Sequence, residues 1–487
     1  MGTGETARAG RGVQPLHHFL LLRRVVSEGS TMAGIGFVLE RVIDRRGLRG
    51  LVGAAAAGVL IVAGPWLIST VALFLVGRLV VEEAPRFFAV IVYCYATTLL
   101  LFSGYHYRFT RILADALYIR DYETVRRTYR RTLVVTAVWG VAPGLAVGYL
   151  GGWRGVGLVV PVLLYTVINT GWIHTLFASL LQRFSAVTWS YGAGALAAAV
   201  ATLIIGVGRI NADTAVLLFT LGMLVTGVML AIMIRATVSH RIHAVKRLVV
   251  TRHGSAPTVI TLRRLVAIGA GIAVILWMDK VLYWVLLGSF QENTMLLLYP
   301  RYDQTVFVAQ LLVIPPMVVF MVRVETAYFR GLRGVLGALR RDTLGAFERS
   351  RRQLVQNYNS ALQGQLVSQL MMIVVLVATA PEVVRIMRLE SVHLFVVTGI
   401  AAQVYFFFYT QMVNLLYLAD YRAAIGVIAF TIALGLVVTV GTLLLVGPVS
   451  VGYAFLITSL AGTFAARYAE RRALADFDWL VLTRMYA

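Results

Sequence analysis

The residues best placed to do chemistry in this chain are two opposite charges, Asp279 and Lys280. They sit side by side in the apolar, aromatic-rich run ILWMDKVLYWVLLG at 275–288. A charge at the middle of a bilayer costs roughly 2.5–3.5 kcal/mol on insertion scales unless it is paired or wetted. Keeping two of them points to a use. They could line a polar path, and Asp279 could carry a coupling proton, as intramembrane carboxylates do in proton-linked pumps. The plainer reading gives each charge its own polar partner in helix packing. Neighbours on a helix do not face one another, so a bridge between the two is not the expected geometry. Trp277, Tyr283 and Trp284 flank the pair, and Trp277 and Trp284, seven residues apart, share a helix face. Such rings offer flat faces to sugar rings and polar tips to hydroxyls. An interfacial aromatic belt or simple core packing explains them equally well.

Two further polar sets fall inside apolar segments. Gln403, Gln411 and Asn414 form one stripe at helical spacing, with Phe407 between them, and Tyr405 and Tyr409 form another on roughly the opposite side. Only one stripe can face a cavity; the amide stripe is the favoured one, with hydrogen bonding between helices as the alternative. Asn169 and Trp172 make a third set, next to His174, which reads as a packed hydrogen-bonding group. Catalysis finds no footing. The chain has no G-x-x-x-x-G-K-[ST] phosphate loop, no H-E-x-x-H and no serine-elbow glycine pattern, so no enzyme activity and no cofactor are expected. The single cysteine, Cys94, lies in an apolar segment and excludes intrachain disulfides and cysteine-based metal sites.

The elements that position these residues are membrane spans. The chain is 59% hydrophobic with a mean hydropathy of +0.81, well above a soluble domain, so it reads as an all-α, multi-pass membrane protein. Twelve spans are expected: 51–80, 86–107, 132–151, 155–180, 186–208, 213–235, 265–287, 304–322, 362–380, 393–418, 424–446 and 449–467. Gly64-Pro65 in the first and Pro315-Pro316 in the eighth predict bends, because proline removes a donor and clashes with the preceding turn. The formal charge of +22 does not indicate nucleic acid. Of the 44 Lys and Arg residues, 32 fall on one side of the spans and seven on the other. That asymmetry predicts both termini in the cytoplasm.

Loop lengths repeat at half the chain. Long arginine-studded segments follow spans two and eight, and very short turns follow spans four and ten. The expected organisation is therefore an extension or mis-called start at 1–31, with Met32 the natural start, and a cytoplasmic amphipathic helix at 32–50. A six-helix lobe at 51–236, a linker at 237–264, a second lobe at 265–468 and a cytoplasmic tail at 469–487 complete it. Paired lobes of this kind place a substrate path at their interface, with span seven facing the cleft. Arg126, Arg127, Arg340 and Arg341 belong to basic amphipathic loop segments that suit anionic lipid headgroups or acidic patches on a partner.

MAGIGFVLERVI at 32–43, GPWLIS at 64–69, FTRILADALY at 109–118, WMDKVLYW at 277–284, YPRYDQTVFVAQL at 299–311 and VETAYFRGLR at 324–333 together resemble the PelG family. Its members are inner-membrane exopolysaccharide transporters within the multidrug/oligosaccharidyl-lipid/polysaccharide flippase superfamily. The resemblance runs from Met32 to about the end of the chain, and residues 1–31 depart from it. It implies a twelve-helix, two-lobed flippase fold in the bacterial inner membrane. It also implies an amino-sugar polymer rich in N-acetylgalactosamine and galactosamine, and partners like the cytosolic glycosyltransferase PelF and the membrane proteins PelD and PelE. Three classes stay open: a polysaccharide exporter acting with a synthase; a flippase of lipid-linked oligosaccharide or a drug/cation antiporter of the same fold; and a non-transporting scaffold. Lys280 is nearly the only cation away from span ends, which weighs against a pyrophosphate-linked substrate. The first six spans hold no central carboxylate, which weighs against the antiporter.

Overall fold

A computed structural model describes residues 59, 63–79, 83–205, 210–245, 259–341 and 343–477. Among the described residues, twelve helices follow one another. They are α1 (Gly64–Leu79), α2 (Ala84–Tyr118), α3 (Tyr122–Leu150), α4 (Val159–Leu180), α5 (Phe184–Ile205), α6 (Ala212–Val245) and α7 (Val259–Leu287), then a composite α8 and α9 (Leu344–Met387), α10 (Val392–Tyr417), α11 (Tyr421–Val446) and α12 (Tyr453–Ala475). Ten are long and apolar enough to cross a membrane. Of the other two, α1 is short among the described residues, since most of 51–63 lies outside them. The other, α12, ends in the charged run RYAERR.

The arginine-studded loops prove to be helix. The chain stays helical through Tyr118, turns at Ile119–Asp121 and resumes at Tyr122, so α3 begins ten residues before the apolar segment that marked it. Apolar runs locate the part of a helix inside the bilayer and are silent on its polar extension. The linker expected at 237–264 shrinks likewise, with α6 reaching Val245 and α7 starting at Val259. The segments expected at 1–31 and 32–50, and the tail beyond 477, lie outside the described residues.

The bend expected at Pro315-Pro316 is a break. The composite α8 consists of Pro300–Leu311, Ile314–Val319, a π-helical turn at Phe320–Glu325 and Thr326–Arg341. Proline lacks the N–H that would bond four residues back, so Pro316 leaves the Leu312 carbonyl without its helical donor.

The loop rhythm has a structural counterpart. After α4, Gln182 takes φ +61° while Gln182 N and Arg183 N donate to Ser179 O and Ala178 O. After α10, Ala419 takes φ +52° while Ala419 N and Asp420 N donate to Leu416 O and Leu415 O. The same left-handed turn closes corresponding helices of the two halves.

Helices α1–α6 pack among themselves and α7–α12 among themselves, each around its own buried apolar cluster. The main contact between halves is α2 against α7. It is close enough that a Cβ on Gly269 would lie 1.9 Å from the Ser103 carbonyl oxygen. Beyond α7, a two-residue hairpin pairs Ser289–Phe290 with Leu297–Leu298. It clasps the first half, with Met295 N donating to Leu150 O at 2.6 Å and Tyr93 Oη to Leu297 O at 2.8 Å.

Candidate functional site

The residues of α7 sort onto two faces. Trp277 and Trp284 turn toward the first half and join its apolar cluster, 6.1 Å apart edge to face. Trp284 also stacks on Tyr93 of α2 at 5.0 Å, so it sits in the seam between halves. Asp279 and Tyr283 turn the other way, into the second half. There Tyr283 meets the ring of Tyr302 from α8 at 4.8 Å, and Tyr302 Oη donates to Asp279 Oδ2. Asp279 is 2% exposed and Lys280 6%, so both charges are out of solvent and need partners.

Lys280 finds them on its own helix. Its Nζ donates to the Leu276 carbonyl at 2.8 Å and to Asp279 Oδ1 at 3.3 Å. The sequence argued against a bridge between neighbours. It forms because the four-carbon lysine stem curls back toward the helix N-terminus, where both acceptors lie. The rings of Trp277 and Phe455 flank the ammonium at 5.9 and 5.2 Å.

A second carboxylate completes the site. Asp303, in the first turn of α8, accepts from Trp284 Nε1 at 2.9 and 3.0 Å and from its own Tyr299 N at 3.2 Å. Its sequence signal was an acidic residue four positions after Tyr299, at a helix start that favours negative charge. Tyr302 and Asp303 are consecutive, so α7 and α8 are joined twice: tyrosine to aspartate in one direction, tryptophan to aspartate in the other. The result is a continuous run from the seam inward: Tyr93, Trp284, Asp303, then Tyr302, Asp279 and Lys280.

The amide stripe of α10 differs from its expectation. Gln403 Nε2 donates to the Leu312 carbonyl at 2.9 Å, replacing the donor that Pro316 lacks. Asn414 Nδ2 meets Tyr358 Oη and donates to Glu470 Oε1 at 3.0 Å, while Gln411 faces a crevice between α9 and α12. The stripe thus turns toward α8, α9 and α12, away from the seam. The tyrosine stripe takes the other side: Tyr405 Oη donates to Ile272 O of α7 at 3.3 Å, and Tyr409 meets Tyr107 of α2.

In the first half, Asn169 Nδ2 donates to Thr136 O at 3.1 Å and Trp172 Nε1 to Thr98 Oγ1 at 3.3 Å. His174 Nδ1 and Tyr129 Oη are 2.9 Å apart. Of the basic loop residues, Arg126 and Arg127 are exposed and Arg126 pairs with Glu123 at 2.7 Å. Arg340 and Arg341 lie on the last turn of α8. Sequence reasoning missed the half-buried Asp303 and three buried acids: Asp115, beside Arg111 at 3.8 Å, Glu325, held by Tyr417 at 2.5 Å, and Glu470, held by Arg467 at 2.5 Å. Glu325 and Glu470 stand in arginine-rich stretches that read as exposed loop.

The model of the PelG family, described as "Putative exopolysaccharide Exporter (EPS-E)", matches residues 32–481. No curated protein matches the chain. Among solved structures, it is similar to the Vibrio cholerae MATE transporter VcmN in its bent form: TM-score 0.59, 13% identity, 93% of this chain and 99% of that one. It is also similar to an outward-facing multidrug resistance MATE family transporter of the MOP superfamily, at TM-score 0.50 and 13% identity over 97% and 100%. A MOP superfamily transporter from Pyrococcus furiosus aligns at TM-score 0.50 and 12% identity over 97% and 100%. At these identities the likeness concerns the fold.

Proposed function

The chain belongs to the PelG exopolysaccharide exporter family, and from that premise we propose that it moves an amino-sugar-rich polysaccharide across the bacterial inner membrane along the seam between its halves. The supporting observation is the Trp284 junction, where one ring stacks on Tyr93 of the first half and donates its N–H to Asp303 of the second. Aromatic faces along the seam, including Trp277, Tyr405 and Tyr409, offer sugar rings apolar surfaces with polar tips. A glycan that displaces Tyr93 from Trp284 loosens Asp303, and with it the α7–α8 joint that carries Asp279. Asp279 is the proposed coupling group. Its protonation removes the charge that holds Lys280 and weakens the acceptor for Tyr302, so a proton and a polymer act on the same joint. Both termini and the arginine-rich helix ends face the cytoplasm in this reading, which puts the exposed Arg126 and Arg127, and the last turn of α8 with Arg340 and Arg341 in its sequence, on the side of a glycosyltransferase that delivers the growing chain.

The test is secretion by cells that make the polymer, with Trp284→Phe as the variant. Phenylalanine keeps a ring to stack on Tyr93 but removes the donor to Asp303. The expected result is a fall in secreted polymer of at least tenfold, with protein abundance in the membrane unchanged. Wild-type secretion from a normally assembled Trp284→Phe protein would sink the reading.

A further inference from the structure

One cavity lies away from the seam, on the flank of the second half. Helices α9 and α12 both pack on α10 and meet one another through Tyr358 with Glu470 and Asn359 with Arg467, leaving beside those bonds a crevice of about 950 Å³ with α10 as its floor. Its two ends differ chemically. Arg351 and Arg352 at the start of α9, with Arg467 and Arg471 toward the end of α12, surround one end, and no carboxylate lines the cavity. Leu366 of α9, Phe407 of α10 and Phe464 of α12 line the other, deeper in the span. Arg467 is held in place from behind, by Glu470 at 2.5 Å and Asn359 Oδ1 at 2.9 Å.

The floor carries an unsatisfied group. Gln411 is 0% exposed and lines this cavity, yet neither its amide nitrogen nor its amide oxygen has a hydrogen-bond partner. A buried primary amide without partners is costly and calls for a ligand able to both donate and accept. Charge at the end nearest the arginine-rich helix termini and apolar walls deeper in the span match an amphiphile standing in one leaflet.

We propose that this crevice binds one anionic phospholipid of the phosphatidylglycerol class. Its phosphate lies among the four arginines, its headgroup hydroxyls and ester oxygens reach Gln411, and an acyl chain lies along Leu366 and Phe464. Arginine guanidiniums fork onto phosphate oxygens, and phosphatidylcholine, carrying no net charge, lacks the electrostatic term that this end provides. The site is separate from the polymer path, so a bound lipid fixes α9 against α12 without obstructing the seam.

Delipidated full-length protein, titrated with phosphatidylglycerol or phosphatidylcholine and followed by native mass spectrometry and thermal midpoint, tests this. Wild type is expected to take up one phosphatidylglycerol per chain and to melt at higher temperature with it, and to do neither with phosphatidylcholine. Each arginine removed weakens binding about fivefold, so Arg351→Gln with Arg471→Gln should bind roughly 25-fold more weakly. Gln411→Leu, which leaves the arginines intact, should also weaken binding and thereby guards against a folding defect in the double variant. Arg385→Gln with Arg388→Gln, exposed at the opposite end of α9, should bind as wild type does. Glycerol phosphate, which has the charge without acyl chains, should not compete. Equal binding by both double variants, equal uptake of phosphatidylcholine, or displacement by glycerol phosphate overturns the proposal.

Discussion

The two halves share a helix plan and a turn geometry but not a way of satisfying buried polar groups. In the first half the deep hydrogen bonds are neutral: His174 with Tyr129, Asn169 with the Thr136 carbonyl, Trp172 with Thr98. In the second, the apolar run of α7 carries a charged pair, Asp279 with Lys280; buried acids beyond the apolar runs occur in both halves, Asp115 beside Arg111 in the first and Glu325 with Tyr417 and Glu470 with Arg467 in the second. A neutral hydrogen bond contributes a net of about 0.5–1.5 kcal/mol and does not change when a proton arrives. A buried charge is worth little as a paired group and much as an unpaired one, so its protonation shifts the balance between packed arrangements. If export works through such a shift, Asp279 puts the responding part in the second half and leaves the first half as a fixed wall.

The largest effect should follow from Asp279→Ala. It strands Lys280 and Tyr302, both buried, and breaking a buried pair from one side costs about 3–5 kcal/mol. The purified protein should melt at clearly lower temperature and secretion should stop. Asp279→Asn keeps an acceptor for Tyr302 but still strands the Lys280 charge, so it should recover only the part of the stability that the tyrosine bond supplies, without recovering export. Full export by Asp279→Asn would remove the proton from the comparison.

Next in size is Gly269→Val, at the contact between halves. Its Cβ would meet the Ser103 carbonyl at 1.9 Å, and that oxygen is backbone that cannot rotate away. Overpacking costs about 1–3 kcal/mol, and here the strain falls on α2 against α7. Export should fall severalfold while each half keeps its own core, read as unchanged helix content by circular dichroism. Normal export would show that the two walls need not touch there.

Gln403→Leu comes third. It removes the donor that replaces the one Pro316 lacks, leaving the Leu312 carbonyl unmet at a cost of about 1–3 kcal/mol. Faster hydrogen exchange confined to α8 should report it, and exchange spread over the second half would show that the break in α8 is held by something else.

Much of this was legible in the chain. Hydropathy located the twelve helices, ten of them long and apolar enough to cross a membrane, Pro315-Pro316 marked the break in α8, and the seven-residue spacing of Trp277 and Trp284 placed both on one face. What escaped it has a common physical origin. Gln403 looked like cavity lining because a backbone carbonyl freed by a proline on another helix leaves no mark on the α10 sequence. Lys280 looked unable to reach Asp279 because spacing rules track Cβ positions and ignore the length of the lysine stem. Asp303, Glu325 and Glu470 were read as loop because the helices bearing them continue past their apolar runs, and burial there comes from neighbouring helices rather than from composition.

The smallest effect, and the sharpest test of the contrast between halves, is His174→Phe in the first half. Phenylalanine can keep the ring contact that His174 makes with Tyr129 at 5.8 Å, so the main loss is one hydrogen bond to Tyr129. Its net worth is about 0.5–1.5 kcal/mol, a quarter or so of the Asp279→Ala effect. Thermal midpoint should drop slightly and secreted polymer should stay within about twofold of wild type, since a bond without charge sets no equilibrium between states. The same holds for Asn169→Leu, which frees only the Thr136 carbonyl. Export abolished by either variant, in protein that still assembles in the membrane, would make the first half a responding element too. The division into wall and switch would then be wrong, whatever Asp279→Ala had shown.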